Sequence, residues 1–217
     1  PKQGGLKVLL ILTSALFWFG LILLVIALAG PAKVEQKRIF LSQGADLMIV
    51  LDQSPSMAAQ DTGGISRFNA AKEVIRNFLR SRENDSIGIV SFGSTAALRV
   101  PPTQDYPYIL SSLDSLNLLE LGSGTAIGMG IAVACLHLRG STAERQAIVL
   151  ITDGENNAGE ILPITAADIA QQLGIRIYSI GIGSQGPVPL EYTDPETGRY
   201  YRGTFEGRFD EALLVRL

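Results

Sequence analysis

A single cysteine, Cys135, excludes an internal disulfide and a cluster of thiolate metal ligands. A single histidine, His137, leaves a histidine-based catalytic triad one possible base and no polar neighbour to orient it. Both lie in a helical pattern, Ile127 to Leu138, where the thiol reads as a small buried apolar group and the imidazole as a helix-surface residue. Charge is also scarce, at 18% of the 217 residues, with 18 basic against 21 acidic side chains and a formal net charge of −3. There is no basic stripe, which argues against nucleic acid as a main partner. Neither a GxxxxGK[ST] phosphate loop nor a GxSxG nucleophile elbow occurs. Gly181 to Gly186 fits a dinucleotide fingerprint behind a strand, but Pro187-Val188-Pro189 stands where that fingerprint needs a helix. Asp153 to Glu160 is rich in acids and amides, yet lacks EF-hand spacing.

What is abundant is apolar surface, 47% of residues, much of it in one uncharged block from Val8 to Ala29. As a helix that block covers about 33 Å, close to the hydrocarbon thickness of a bilayer. It is longer than the core of a secretory signal, although Ala27-Leu28-Ala29 resembles a cleavage site. The organisation read from this is an N-terminal flank (1–7), a single-pass transmembrane helix (8–30), a linker (31–44) and a domain (45–217). Lys2 and Lys7 on one side and Lys33, Lys37 and Arg38 on the other leave orientation undecided by charge.

Within the domain, apolar runs alternate with helical patterns. Ala45 to Leu51 is a strand ending in Asp52, and Ser66 caps a helix to about Arg80. Ile87 to Phe92 is a second strand, Ala96 to Val100 an edge strand stopping before Pro101-Pro102, and Tyr108 to Leu116 a short helix. Thr125 opens a helix to Leu138, Gln146 to Thr152 is a buried strand ending in Asp153, Thr165 caps a helix stopped by Gly174, and Ile175 to Ile182 is a fourth buried strand. Val188 to Arg202 reads as a hairpin turning at Asp194 to Gly198, and Asp210 begins a last helix. The fold class is therefore α/β, a mostly parallel doubly wound sheet flanked by helices. Ligands of such sheets sit at the carboxyl ends of the strands, where Asp52 and Asp153 stand.

Three loops bring oxygen ligands to that edge: Asp52-Gln53-Ser54-Pro55-Ser56, Gly124-Thr125 and Thr152-Asp153-Gly154. Two carboxylates and three hydroxyls form a hard donor set suited to Mg²⁺ or Mn²⁺, not to zinc or copper. Hydroxyl ligands leave the cation's charge partly uncompensated, so an open position can attract a carboxylate from another protein. A rival arrangement is a metal-dependent phosphoryl transferase with Asp52 as nucleophile, but Ser54 occupies the position where such enzymes need a second aspartate. A metal-free, membrane-tethered scaffold is the third possibility.

Asp52, Ser54, Ser56, Thr125 and Asp153 match the metal-ion-dependent adhesion site (MIDAS) of von Willebrand factor A (VWA) domains, and the resemblance runs from about Ala45 to Leu217. The stretches GSGTAIGMGIA, VLITDGENNAGEI and LGIRIYSIGIG look like the bacterial aerotolerance (Bat, BatA-like) group of VWA proteins. The resemblance implies a Rossmann-like fold, a non-catalytic Mg²⁺ or Mn²⁺, and a protein partner that supplies a carboxylate. It also implies Bat-type proteins and a MoxR-type AAA+ ATPase system as neighbours, in a bacterial inner membrane with the domain extracytoplasmic. Pro55 replaces the glycine common in the middle of the motif. A further helix and strand are expected beyond Leu217, so the domain is expected to be C-terminally incomplete.

Overall fold

The computed structural model describes residues 2–28, 44–61, 64–184, 186–195, 197–207 and 210–217, which fall into two units divided at residue 40. The first is one helix, α1 (Lys2–Leu28), whose apolar side chains from Leu10 to Val25 are exposed. The helical reading of the apolar block therefore holds, and residues 29–30 of the expected 8–30 span lie outside the described residues. Among the described residues no helix is long and apolar enough to cross a membrane. The linker expected at 31–44 lies outside the described residues except for Gly44.

The second unit is built on β1 (Asp46–Asp52), a strand with no polar residue between its two terminal aspartates and buried throughout except at Asp46. A strand buried on both faces belongs in the middle of a sheet. β1 indeed pairs in parallel with β2 (Ser86–Phe92) on one side and β4 (Gln146–Thr152) on the other. β5 (Arg176–Gly181) adds in parallel to β4, and β3 (Ala96–Thr103) adds antiparallel to β2, giving the order β3-β2-β1-β4-β5.

Helices cover both faces. On one, α2 (Arg67–Arg80) and α3 (Tyr106–Ser115) pack Phe68, Ala71, Ile75, Ile109 and Leu113 onto Leu47, Ile49 and Leu51. On the other, α4 (Ile127–Leu138), α5 (Pro163–Gln172) and α6 (Glu211–Arg216) pack Ile127, Ile131, Ala166, Ala170 and Leu214 onto Met48, Val50 and Leu150. The even residues of β1 serve one core and the odd residues the other, as strand alternation requires. Ser66 caps α2 by accepting a hydrogen bond from the Asn69 amide at 3.2 Å. Ser66→Ala is expected to cost about 1 kcal/mol in equilibrium urea unfolding; a change within error would mean the cap contributes nothing.

Several boundaries differ from the sequence reading. β3 continues through Pro101 and Pro102, which stand opposite Gly88 at a break in register. An edge strand tolerates the missing donors there. α3 begins at Tyr106 because Asp105 accepts from the Tyr108 amide. α5 begins at Pro163, the first helical position, where a missing N–H costs nothing, so Thr165 is inside the helix and not its cap. β5 is an edge strand with exposed side chains, Tyr178 and Ile180 among them, and not a buried one.

The hairpin forms as expected, somewhat longer, from β6 (Gly186–Thr193) and β7 (Tyr200–Gly207) as a separate two-stranded sheet. Asp194 closes its turn, accepting hydrogen bonds from the Gly198 amide and the Thr197 hydroxyl. A bridge between Ala59 and Leu190, with the Gln60 amide donating to the Pro189 carbonyl at 2.9 Å, fixes it beside the loop that follows β1.

Candidate metal centre

β1 and β4 end side by side, so the chain delivers Asp52 and Asp153 to the same rim of the sheet. The turn after β1 is tight. Asp52 Oδ1 accepts from the Ser54 amide at 2.8 Å, and a short 3-10 turn, Pro55–Ala58, follows at once. Pro55 takes the first position of that turn, where its fixed φ is an advantage. The result places the Ser54 and Ser56 hydroxyls 3.0 Å apart. After β4, Gly154 turns the chain with φ +90°, and a Cβ there would meet the Asp210 carbonyl oxygen at 3.0 Å. Both conditions favour glycine.

Thr125 reaches the rim by another route. The Ala126 amide donates to Gly93 O at 2.7 Å, tying this loop to the end of β2, next to the end of β1. The first amides before and inside α4 are capped from across the site: Thr125 N donates to Asn157 Oδ1 at 2.9 Å and Ile127 N to Asn156 Oδ1 at 3.0 Å. The sequence suggested that Thr125 opens α4. The helix instead starts at Ile127, and its capping is done by the asparagines, which leaves the Thr125 hydroxyl free of that task.

All five residues are buried, Asp52, Ser54 and Asp153 completely, Thr125 at 3% exposure and Ser56 at 8%. Burial raises the Asp52 carboxyl to about 7, and the Asp153 charge pushes the same way; hydrogen bonds from Ser54 and from Thr152 Oγ1, the latter at 2.6 Å, pull it back only in part. Burial raises Asp153 as well, against hydrogen bonds and the Arg67 charge. Asp153 Oδ2 accepts from Arg67 Nη1 at 3.1 Å, while its Oδ1 is buried with no hydrogen-bond partner. Asp52, Ser54, Ser56 and Asp153 are thus linked to one another by hydrogen bonds or charge, whereas the Thr125 backbone is bonded to Asn157 at the neighbouring loop. Among the described residues no three His, Cys, Asp or Glu side chains are grouped so that they could hold a metal ion by themselves, so a cation here would depend on hydroxyls as well as carboxylates.

The family description that matches residues 47–155, about half of the chain, is the von Willebrand factor type A domain. The chain belongs to the VWA family. A solved aerotolerance-related membrane protein from Bacteroides fragilis superposes with a TM-score of 0.68 at 33% identity, over 80% of this chain and 86% of that one. BatB from Bacteroides thetaiotaomicron gives the same TM-score at 30% identity, over 80% and 84%. A Borreliella burgdorferi protein is 40% identical over 216 residues, covering 100% of this chain but 63% of that protein's length. The expected likeness to the Bat group of VWA proteins thus stands.

Sequence reasoning missed the polar groups that brace this VWA rim. Gln53, fully buried between two of the candidate ligands, donates to the Asn117 carbonyl at 2.6 Å and accepts from Arg99, which also holds Glu120 and Ser91. Arg67 is 1% exposed although it opens an amphipathic helix, a position that usually faces water. No spacing rule marks either residue. Cys135 and His137 are as read: the thiol is buried and pushed up to about 11, and the imidazole is half-buried on α4.

Proposed function

We propose that this chain is a membrane-anchored VWA domain that binds a protein partner through a divalent metal, Mg²⁺ or Mn²⁺, held by Asp52, Ser54, Ser56, Thr125 and Asp153. The observation that carries the reading is the orphaned Asp153 Oδ1, fully buried beside a second buried carboxylate. A buried carboxylate oxygen without a donor costs several kcal/mol unless a cation or proton meets it. Burial raises both Asp52 and Asp153, so each carboxylate gains from a cation placed beside it. Oxygen-only donors fit a hard cation, and two carboxylates offset its charge without closing its coordination. In this reading Asp52, Ser54 and Ser56 hold the ion from one loop, Thr125 and Asp153 from the other two, and a partner's Asp or Glu takes the remaining position.

Asp52 suits a ligand better than a nucleophile, being inaccessible and hydrogen-bonded at both oxygens. The membrane anchor is assigned to the Val8 to Ala29 block, supported by its composition and by the relative from B. fragilis named a membrane protein. The extracytoplasmic placement, the Bat-type partners and the MoxR-type ATPase rest on the family likeness. Titration of the full chain in detergent with Mg²⁺ and Mn²⁺ by calorimetry, beside Asp52→Ala, tests the centre. Saturable binding lost in a folded variant is expected; wild-type protein that binds neither ion refutes it.

A further inference from the structure

Arg67 is a buried arginine whose planar fork is divided between two acids on different segments. Nη1 donates to Asp153 Oδ2 at 3.1 Å, and Nε and Nη2 donate to Asp61 Oδ2 at 3.0 and 2.6 Å. Asp61 in turn accepts from both the Ser184 amide, at 2.7 Å, and the Ser184 hydroxyl, at 3.0 Å, at the foot of the hairpin. Nη2 also reaches the Ser184 carbonyl at 3.5 Å, and the guanidinium lies over the Phe205 ring on β7, 5.8 Å from its centre.

The hairpin's foot is shaped to admit this group. A Cβ on Gly183 would stand 2.9 Å from Arg67 Cζ, and one on Gly207 would stand 3.1 Å from Nη2 and 2.3 Å from the Ser184 carbonyl oxygen. A charged side chain taken this far from water needs every donor met. Here the donors are met by the candidate ligand Asp153 on one side and by the loop and hairpin on the other. One Asp153 oxygen is held by the fork, and the orphaned oxygen is the one left to face a cation.

We infer that Arg67 is a positioning residue that holds Asp153 for the metal and, through Asp61 and Ser184, joins the β6–β7 hairpin to the metal centre, so that metal occupancy and hairpin order rise and fall together. This rests on the metal-site reading above and extends it: the hairpin becomes part of the partner-binding surface, set by whether the ion is present. An acidic partner reaching the ion then meets a hairpin whose position already reports it.

Hydrogen–deuterium exchange of the full chain with EDTA or saturating Mg²⁺ tests this, with calorimetry on the same samples. In wild type, Mg²⁺ is expected to slow exchange of the β6 and β7 amides by about fivefold or more, the lower end of ordinary coupling between sites. Arg67→Lys keeps the charge and loses the fork, so it is expected to bind Mg²⁺ about tenfold or more weakly and, at saturating Mg²⁺, to leave the hairpin unresponsive; an unchanged affinity overturns the positioning role. Asp61→Asn, which leaves the Arg67–Asp153 contact in place, is expected to keep the wild-type Mg²⁺ affinity while the hairpin no longer responds, and it covers the case in which the lysine variant does not fold. Wild-type chain that binds Mg²⁺ with unchanged hairpin exchange overturns the coupling alone; wild-type chain that binds no metal overturns it together with the site. Full metal-dependent protection in folded Arg67→Lys or Asp61→Asn also overturns it.

Discussion

Asp52→Asn is expected to make the metal-free chain more stable at pH 8, by up to about 4 kcal/mol, while removing its saturable binding of Mg²⁺. The folded-state value for Asp52, about 7, lies above the unfolded carboxylate value of about 3.9. The folded chain therefore holds this proton more tightly than the unfolded chain. The stability it contributes is fully present below pH of about 4 and is lost as pH rises through about 7. Asparagine carries no charge to desolvate, and Thr152, whose hydroxyl reaches Asp52 Oδ2, can turn to accept from the new amide. Urea unfolding in EDTA at pH 5 and pH 8 reads the effect directly. Wild type is expected to lose stability between the two and the variant to lose clearly less, Asp153 being the raised carboxyl that remains. Parallel pH dependence in both proteins would rule out Asp52 as the titrating group. The same ionisation makes wild-type metal affinity rise with pH over this window, because the ion needs the carboxylate.

Arg67→Met is expected to cost about 3–5 kcal/mol of unfolding free energy in EDTA, because it strands two nearly inaccessible carboxylates, Asp61 and Asp153, without their common partner. That is a large share of a domain's usual margin of about 5–15 kcal/mol. Arg76 supplies the contrast: it also pairs with two acids, Glu73 and Asp114, but on the surface. Arg76→Ala is expected to cost no more than about 1 kcal/mol. Equal losses for the two arginines in denaturant titrations would contradict the weight given to burial.

The two cases mark where the sequence was readable. β4 was located to the residue because Gln146 to Thr152 is a continuous apolar run between polar residues, and a strand buried on both faces leaves no other pattern. Asp52, Ser54 and Ser56 were legible because a hard-ligand motif directly follows such a strand, and the structure places the two serine hydroxyls side by side. α5 was misplaced by three residues, with Thr165 read as the cap where Leu162 is, because Thr165 and Asp168 imitate a capping box inside a helix that Pro163 begins. β5 has the composition of a buried strand, but its exposure depends on having β4 on one side only, which is a property of the sheet and not of the segment. Arg67 was invisible for the same kind of reason: what covers it is Asp61, Ser184 and Phe205, brought together only when the chain closes.

The strand order β3-β2-β1-β4-β5 also fixes when a binding centre can exist. β1 pairs on one side with β2, its neighbour in sequence, whereas Asp153 follows the much later β4, which pairs on β1's other side. During synthesis, a chain emerged only as far as β3 can hold a formed Asp52 loop and no second carboxylate. The ion therefore cannot template the early fold; it can only reward a sheet already zipped across its slowest, most distant pairing. A nascent chain stalled before Asp153 would be blind to metal, and occupancy of the centre would be a certificate that the sheet had closed.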